Sequence, residues 1–168
     1  MTDKIQSLIT SLDLAPHPEG GYFKETYRSA GLISQTELGQ PYEGNRNQST
    51  AIYYLLTADT FSAFHRIKQD EIWHFYQGDP IDLHTIDEAG VHTLIQIGSD
   101  IAAGQVPQYV VPGGVWFAAK VSKSGVYSLA GCTVSPGFDF MDFELGKRQE
   151  LQDKFTLHAE LISAFTRI

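Results

Sequence analysis

Two histidines and a glutamate fall within ten positions in HRIKQDEIWHFYQG, residues 65–78. Side chains of these types hold metal ions, exchange protons with a substrate, or simply face water. Which of these they do depends on the elements that carry them. Along a strand every second side chain points to the same face. In FSAFHRI, that rule puts Ala63, His65 and Ile67 together. Lys68, Gln69 and Asp70 form a polar turn, and Glu71, Trp73 and Phe75 then share a face opposite Ile72, His74 and Tyr76. A tight turn brings His65 and Glu71 from neighbouring strands into one interior and leaves His74 outside, provided that no bulge shifts the parity.

The elements around this stretch are mostly short strands. Residues 3–14 space Ile5, Leu8, Ile9 and Leu12 at helical intervals. APHPEGGYF then ends the helix with two prolines and two glycines. The runs YFKETYRS, STAIYYLLT, FSAFHRI, EIWHFYQG, IDLHTID, HTLIQIG, QYVVP, VWFAAKV, VYSLAGCTV and FDFMDFEL read as strands, with a long polar loop at about 30–48. Such spacing without intervening helices predicts an antiparallel sandwich or barrel. The expectation is an all-β fold with short terminal helices in one domain: a helix over about 3–14, a barrel over about 20–146 and a helical stretch over about 147–166.

Composition narrows the partners. Twelve basic against twenty acidic residues give a net charge of −8. This argues against nucleic acid and anionic membrane surfaces, which require clustered Lys and Arg. No apolar run reaches the roughly 20 residues of a membrane helix, and the first residues lack the apolar core of a signal peptide, so a cytoplasmic protein is expected. The lone Cys132 forms no internal disulfide and reads as a buried, inert thiol in a strand. No glycine-rich phosphate loop, nucleophile elbow or dinucleotide fingerprint is present.

Two motifs carry a resemblance. The first motif of the cupins runs His-x-His, three or four residues, Glu, six residues, Gly; here it reads His65-x-Ile67, three residues, Glu71, six residues, Gly78. The second, Pro-x-Gly-x-x-His, reads Pro112-Gly113-Gly114-Val115-Trp116-Phe117. Ile67 and Phe117 replace two usual metal ligands, and Asp59 stands where a glycine normally opens the first motif. HPEGGYFKETYRS, STAIYYLL, DEIWHFYQGDP and TVSPGFDFMDFELG further resemble the fifth cupin family, a domain of unknown function. The resemblance spans about Leu12 to Arg167. It implies a cupin jelly-roll β-barrel (a double-stranded β-helix), usually a homodimer, similar in shape to sugar-nucleotide epimerases and seed storage proteins.

The residues then suggest roles. With two of four ligands gone, no tightly held cofactor is predicted; a divalent metal would have His65, Glu71 and, by swinging across its strand, His74. A barrel interior moves His and Glu pKa values toward neutrality. By likeness to metal-free epimerases of this fold, His65 is the expected base beside Glu71. Asp139 or Asp142 would orient it and Tyr53 would return the proton. Trp73, Phe75 and Phe117 are candidate ring-stacking side chains for a sugar- or nucleotide-like ligand, with Glu19 and Tyr22 at the barrel mouth. Arg28, Arg46 and Arg66 are candidate anion contacts, whereas His17, His84, His92 and His158 read as surface histidines. Three functions stay open: a metal-independent epimerase or isomerase, a non-catalytic small-molecule-binding module, and a metal-dependent cupin enzyme.

Overall fold

The computed structural model describes residues 2–123 and 125–167. Helix α1 (Thr2–Ser11) leads into β1 (Ala15–Pro16) and β2 (Tyr22–Arg28). The polar loop contains β3 (Leu32–Ile33), the one-turn α2 (Gln35–Leu38) and β4 (Arg46–Asn47). There follow β5 (Thr50–Thr57), β6 (Phe61–Arg66), β7 (Asp70–Gly78), β8 (Ile81–Ile86) and β9 (His92–Ile97). The strands continue through β10 (Gln108–Val111), β11 (Trp116–Val121), β12 (Tyr127–Ser135) and β13 (Glu144–Leu145). Helices α3 (Arg148–Lys154) and α4 (Ala159–Ala164) close the chain. Among the described residues no helix is long and apolar enough to cross a membrane.

Two antiparallel sheets face each other, with strand orders β1-β2-β5-β12-β7-β10 and β13-β6-β11-β8-β9. From β5 to β8, and again from β9 to β13, consecutive strands alternate between these sheets: the turn after β6 passes from one sheet to the other, so His65 and Glu71 come from opposing sheets and not from paired neighbours. Tyr54, Leu56 and Trp73 from one sheet meet Ile81, Leu83, Phe117 and Val121 from the other. This apolar layer closes one end of the space between the sheets.

Both outer faces are partly covered, which explains the double-sided hydrophobicity of several strands. Ile5, Leu8, Ile9 and Leu12 of α1 pack over Leu55 and Leu129. Leu151, Phe155, Ile162 and Phe165 from the closing helices cover Phe64, Ile86, Trp116 and Ala118. The run FDFMDFEL forms no long strand. Asp139 accepts a hydrogen bond from the Met141 backbone N–H at 2.9 Å, and this cap turns Phe140–Asp142 into a 3-10 helix before the short β13.

Candidate active site

The space between the sheets opens as a cavity of about 270 Å³, lined by residues that include His17, Glu19, Phe23, Glu25, Arg28, Tyr54, His65, Ile67, Glu71, Cys132, Phe138, Asp139, Phe140 and Phe143. His65 is 1% exposed and Glu71 8%. Glu19 arrives from the loop between β1 and β2. Gly20 (φ 120°) and Gly21 (φ 69°) take left-handed conformations there, and a Cβ on Gly20 would collide with the Phe61 carbonyl. The paired glycines thus let the loop lie directly against β6.

This close approach completes a proton-sharing pair. His65 Nδ1 lies 2.8 Å from the Ala63 carbonyl oxygen, so Nδ1 carries the hydrogen and donates it. Its Nε2 lies 3.1 Å from Glu19 Oε2. A carboxylate oxygen and an unprotonated ring nitrogen are both acceptors, so this contact needs one proton between them. Glu19 Oε1 accepts from the Ser62 hydroxyl at 2.8 Å. His17 Nδ1 accepts the Glu19 backbone N–H at 3.4 Å, and burial, ahead of neighbouring charges, lowers the pKa of His17 and keeps its ring neutral.

Glu71 is built differently. Its carboxyl closes no hydrogen bond among the described residues, and its pKa is pushed up to about 8, by burial first and then by the negative charge of Glu19. The thiol of Cys132 and the indole of Trp73 lie close by and favour ionisation, but burial outweighs both. Cys132 is itself buried, and its pKa is raised well above the usual thiol value by the same desolvation.

Several expected placements are corrected. Tyr53 and Tyr22 face outward beneath α1, and the inward tyrosine is Tyr54, whose hydroxyl donates to the Gly20 carbonyl at 2.7 Å. Asp139 lines the cavity but caps its own turn, and Asp142 is buried under Arg46; the group that meets His65 is Glu19. Trp73, Phe75 and Phe117 pack in the core behind the cavity, where Phe75 precedes a register shift in the β7–β12 pairing. The aromatic walls are instead Phe23, Phe138, Phe140 and Phe143. His17 belongs to the cavity and not to the surface. His84 is also buried, with Nδ1 3.0 Å from His92 Nε2 under the closing helices. Of the arginines, Arg28 lines the cavity, Arg46 binds Asp142 and Arg66 binds Glu144.

These residues do not fit the metal of other cupins. Ile67 and Phe117 offer no lone pair, and the Phe117 ring packs against the His65 ring at 4.0 Å between centroids. Both His65 nitrogens are engaged elsewhere. His74 faces out of the cavity, contacting Thr133 Oγ1 and Gln108 Nε2, each at 3.0 Å. Among the described residues no group of three His, Cys, Asp or Glu side chains is disposed to hold a metal ion.

Two interleaved antiparallel sheets around an inward His–Glu motif define a cupin. The family described as Cupin superfamily (DUF985) matches residues 6–146, and this chain belongs to it. It is 36% identical over 158 residues to an uncharacterized protein of Saccharomyces cerevisiae, YML079W, covering 87% of this chain and 77% of the yeast protein. A hypothetical protein from Leishmania major superposes with a TM-score of 0.89 at 33% identity, covering 97% of this chain and 98% of that one. Protein SO0799 from Shewanella oneidensis gives 0.86 at 35% identity, with 96% of each chain covered. Oxalate decarboxylase from Bacillus subtilis shares the fold alone, at 14% identity and a TM-score of 0.54, covering 89% of this chain and 36% of its own.

Proposed function

We propose that this protein is a metal-independent acid–base catalyst, an epimerase or isomerase that moves a proton at a carbon beside a carbonyl group in a small, sugar-like compound. The observation that carries the reading is the pairing of two groups of opposite proton affinity around one cavity. Glu71 is a desolvated carboxyl with a pKa of about 8, and the His65–Glu19 pair holds one proton at 3.1 Å.

The proton count assigns the roles. Near neutral pH a fraction of Glu71 is ionised, and its desolvated carboxylate is a stronger base than an ordinary one. Glu71 therefore takes the proton from carbon. The His65–Glu19 pair, already carrying a proton, donates it to the carbonyl oxygen as the enol forms, and return of a proton to carbon completes the exchange. This gives the base role to Glu71 in place of His65, with His65 as the acid. Ser62 and the Ala63 carbonyl fix the pair's orientation.

The test is solvent-deuterium incorporation at the carbon next to the carbonyl, followed by proton NMR over a panel of aldoses and ketoses. Incorporation that rises with pH to a limb near 8, and that is lost in Glu71→Gln and His65→Asn, supports the reading. Unchanged incorporation in both folded variants refutes it.

A further inference from the structure

The charge that faces a ligand in this cavity is set by few groups. Among the described residues lining it, Arg28 is the sole Lys or Arg, beside the carboxyls of Glu19, Glu25, Glu71 and Asp139. The other cations nearby are turned elsewhere: Arg46 and Lys68 to Asp142, Arg66 to Glu144. An anionic ligand group therefore has Arg28 as its partner or none.

Arg28 is fully occupied. A guanidinium has five N–H donors. Nε donates to Glu25 Oε1 at 2.9 Å and one terminal nitrogen to Glu25 Oε2 at 2.7 Å, a fork-to-fork pair. The other terminal nitrogen donates to Asn47 Oδ1 at 2.8 Å. Both terminal nitrogens reach the Phe138 carbonyl oxygen at 3.2 Å. Recruiting Arg28 to a phosphate breaks the pair with Glu25 and also releases the segment that carries Phe138, Phe140 and Phe143, three walls of the cavity. The other groups lining the cavity do not attract an anion either: the His65–Glu19 pair is neutral overall, and Glu71 and Asp139 add only carboxyls.

We infer that the Arg28–Glu25 pair is a specificity element that denies the cavity an anion subsite, and that the ligand is an uncharged polyhydroxy carbonyl compound, not a sugar phosphate or nucleotide sugar. The inference rests on the proposed function for the word carbonyl, but its charge selection stands apart from any turnover. Size agrees, since about 270 Å³ lies below the roughly 300–1,000 Å³ of drug-sized ligand sites. The aromatic walls suit the C–H face of a sugar ring and the carboxyls suit its hydroxyls.

The probe is inorganic phosphate, titrated by calorimetry into wild type, Glu25→Gln, Glu25→Ala and Glu25→Gln/Arg28→Gln. Glu25 and Arg28 are both partly exposed at the mouth, and melting curves verify that each variant folds. The expected result is no saturable binding to wild type at millimolar phosphate. Either single variant should gain at least tenfold in affinity, and the double variant should lose that gain. Millimolar binding to wild type that the double variant abolishes would overturn the inference, as would the absence of any gain when Glu25 is replaced. Binding is read without turnover, so failure of the proton-transfer reading shows separately, in the deuterium experiment.

Discussion

The ring of Phe117 stands across the sheet from His65 in ladder register, one residue opposite the other on β11 and β6, with centroids 4.0 Å apart. In the second cupin motif this position carries a histidine, so the register that assembles a metal site elsewhere here stacks a phenyl ring on the imidazole. Restoring both missing ligands with Ile67→His and Phe117→His should create metal affinity. Elemental analysis after equilibration with manganese or zinc should find close to stoichiometric metal in the double variant and background in wild type. Loss of the buried Phe117 ring costs about 3 kcal/mol of stability, so the melting curve must be followed in parallel.

Glu71 should make the fold less stable in alkali. Its folded pKa is about 8 against an ordinary 4.5, so between those values the folded state keeps a proton that the unfolded chain gives up. Stability then falls as pH rises through this window. Glu71→Gln should remove the slope, matching wild type near pH 4 and exceeding it above pH 8 by on the order of 2–4 kcal/mol. Urea midpoints across this range check it.

His84 should act in the opposite direction. Burial first, then His92 and Lys120, depress its pKa from 6.5 to about 4, against the pull of Asp82. Burial and then His158 likewise lower His92. The folded state resists a proton that the unfolded chain accepts, so stability is intact above 6.5 and is lost as pH falls toward 4, by at most roughly 1.4 kcal/mol per pH unit for one group. His84→Gln should flatten this acid limb in chemical denaturation, while leaving the alkaline limb of Glu71 in place.

Asp142 is a structural acid, and its removal should be costly. Burial alone would push its pKa up, but hydrogen bonds from Arg46 and Gln69 hold it below the ordinary carboxylate value. Arg46 grips it with Nε and a terminal nitrogen at 2.6 and 2.7 Å. Asp142→Ala strands a buried guanidinium and should cost about 3–5 kcal/mol. Replacing Arg46 and Asp142 together by apolar residues should recover most of this loss in equilibrium unfolding.

The two motifs made the sheets and the inward placement of His65 and Glu71 legible, because strand period and motif spacing are local properties of the chain. Tyr53 and Tyr54 show where local reading stops. Ala51, Tyr53 and Leu55 alternate with Ile52, Tyr54 and Leu56, and both faces are apolar because α1 covers the outer one. Nothing in STAIYYLLT says which tyrosine meets the cavity. FDFMDFEL alternates like a strand, yet one aspartate cap converts it into a turn. Glu19 is legible only as a residue of the barrel mouth; its contact with His65 and the inward place of His17 depend on a loop docking against β6. The one local trace of that docking is the glycine pair that follows them.

That docked loop has a further anchor. A terminal nitrogen of the Arg167 guanidinium donates to the Glu19 carbonyl oxygen at 3.0 Å and to the Phe61 carbonyl at 3.3 Å, and the Ala63 N–H donates to the same Glu19 oxygen at 2.9 Å. The acid that shares a proton with His65 is thus clamped by a side chain 148 positions downstream. During synthesis the strands bearing His65 and Glu71 emerge well before Arg167, the clamp on their partner. A chain cut just short of Arg167 would keep the strands of both sheets while loosening its hold on Glu19.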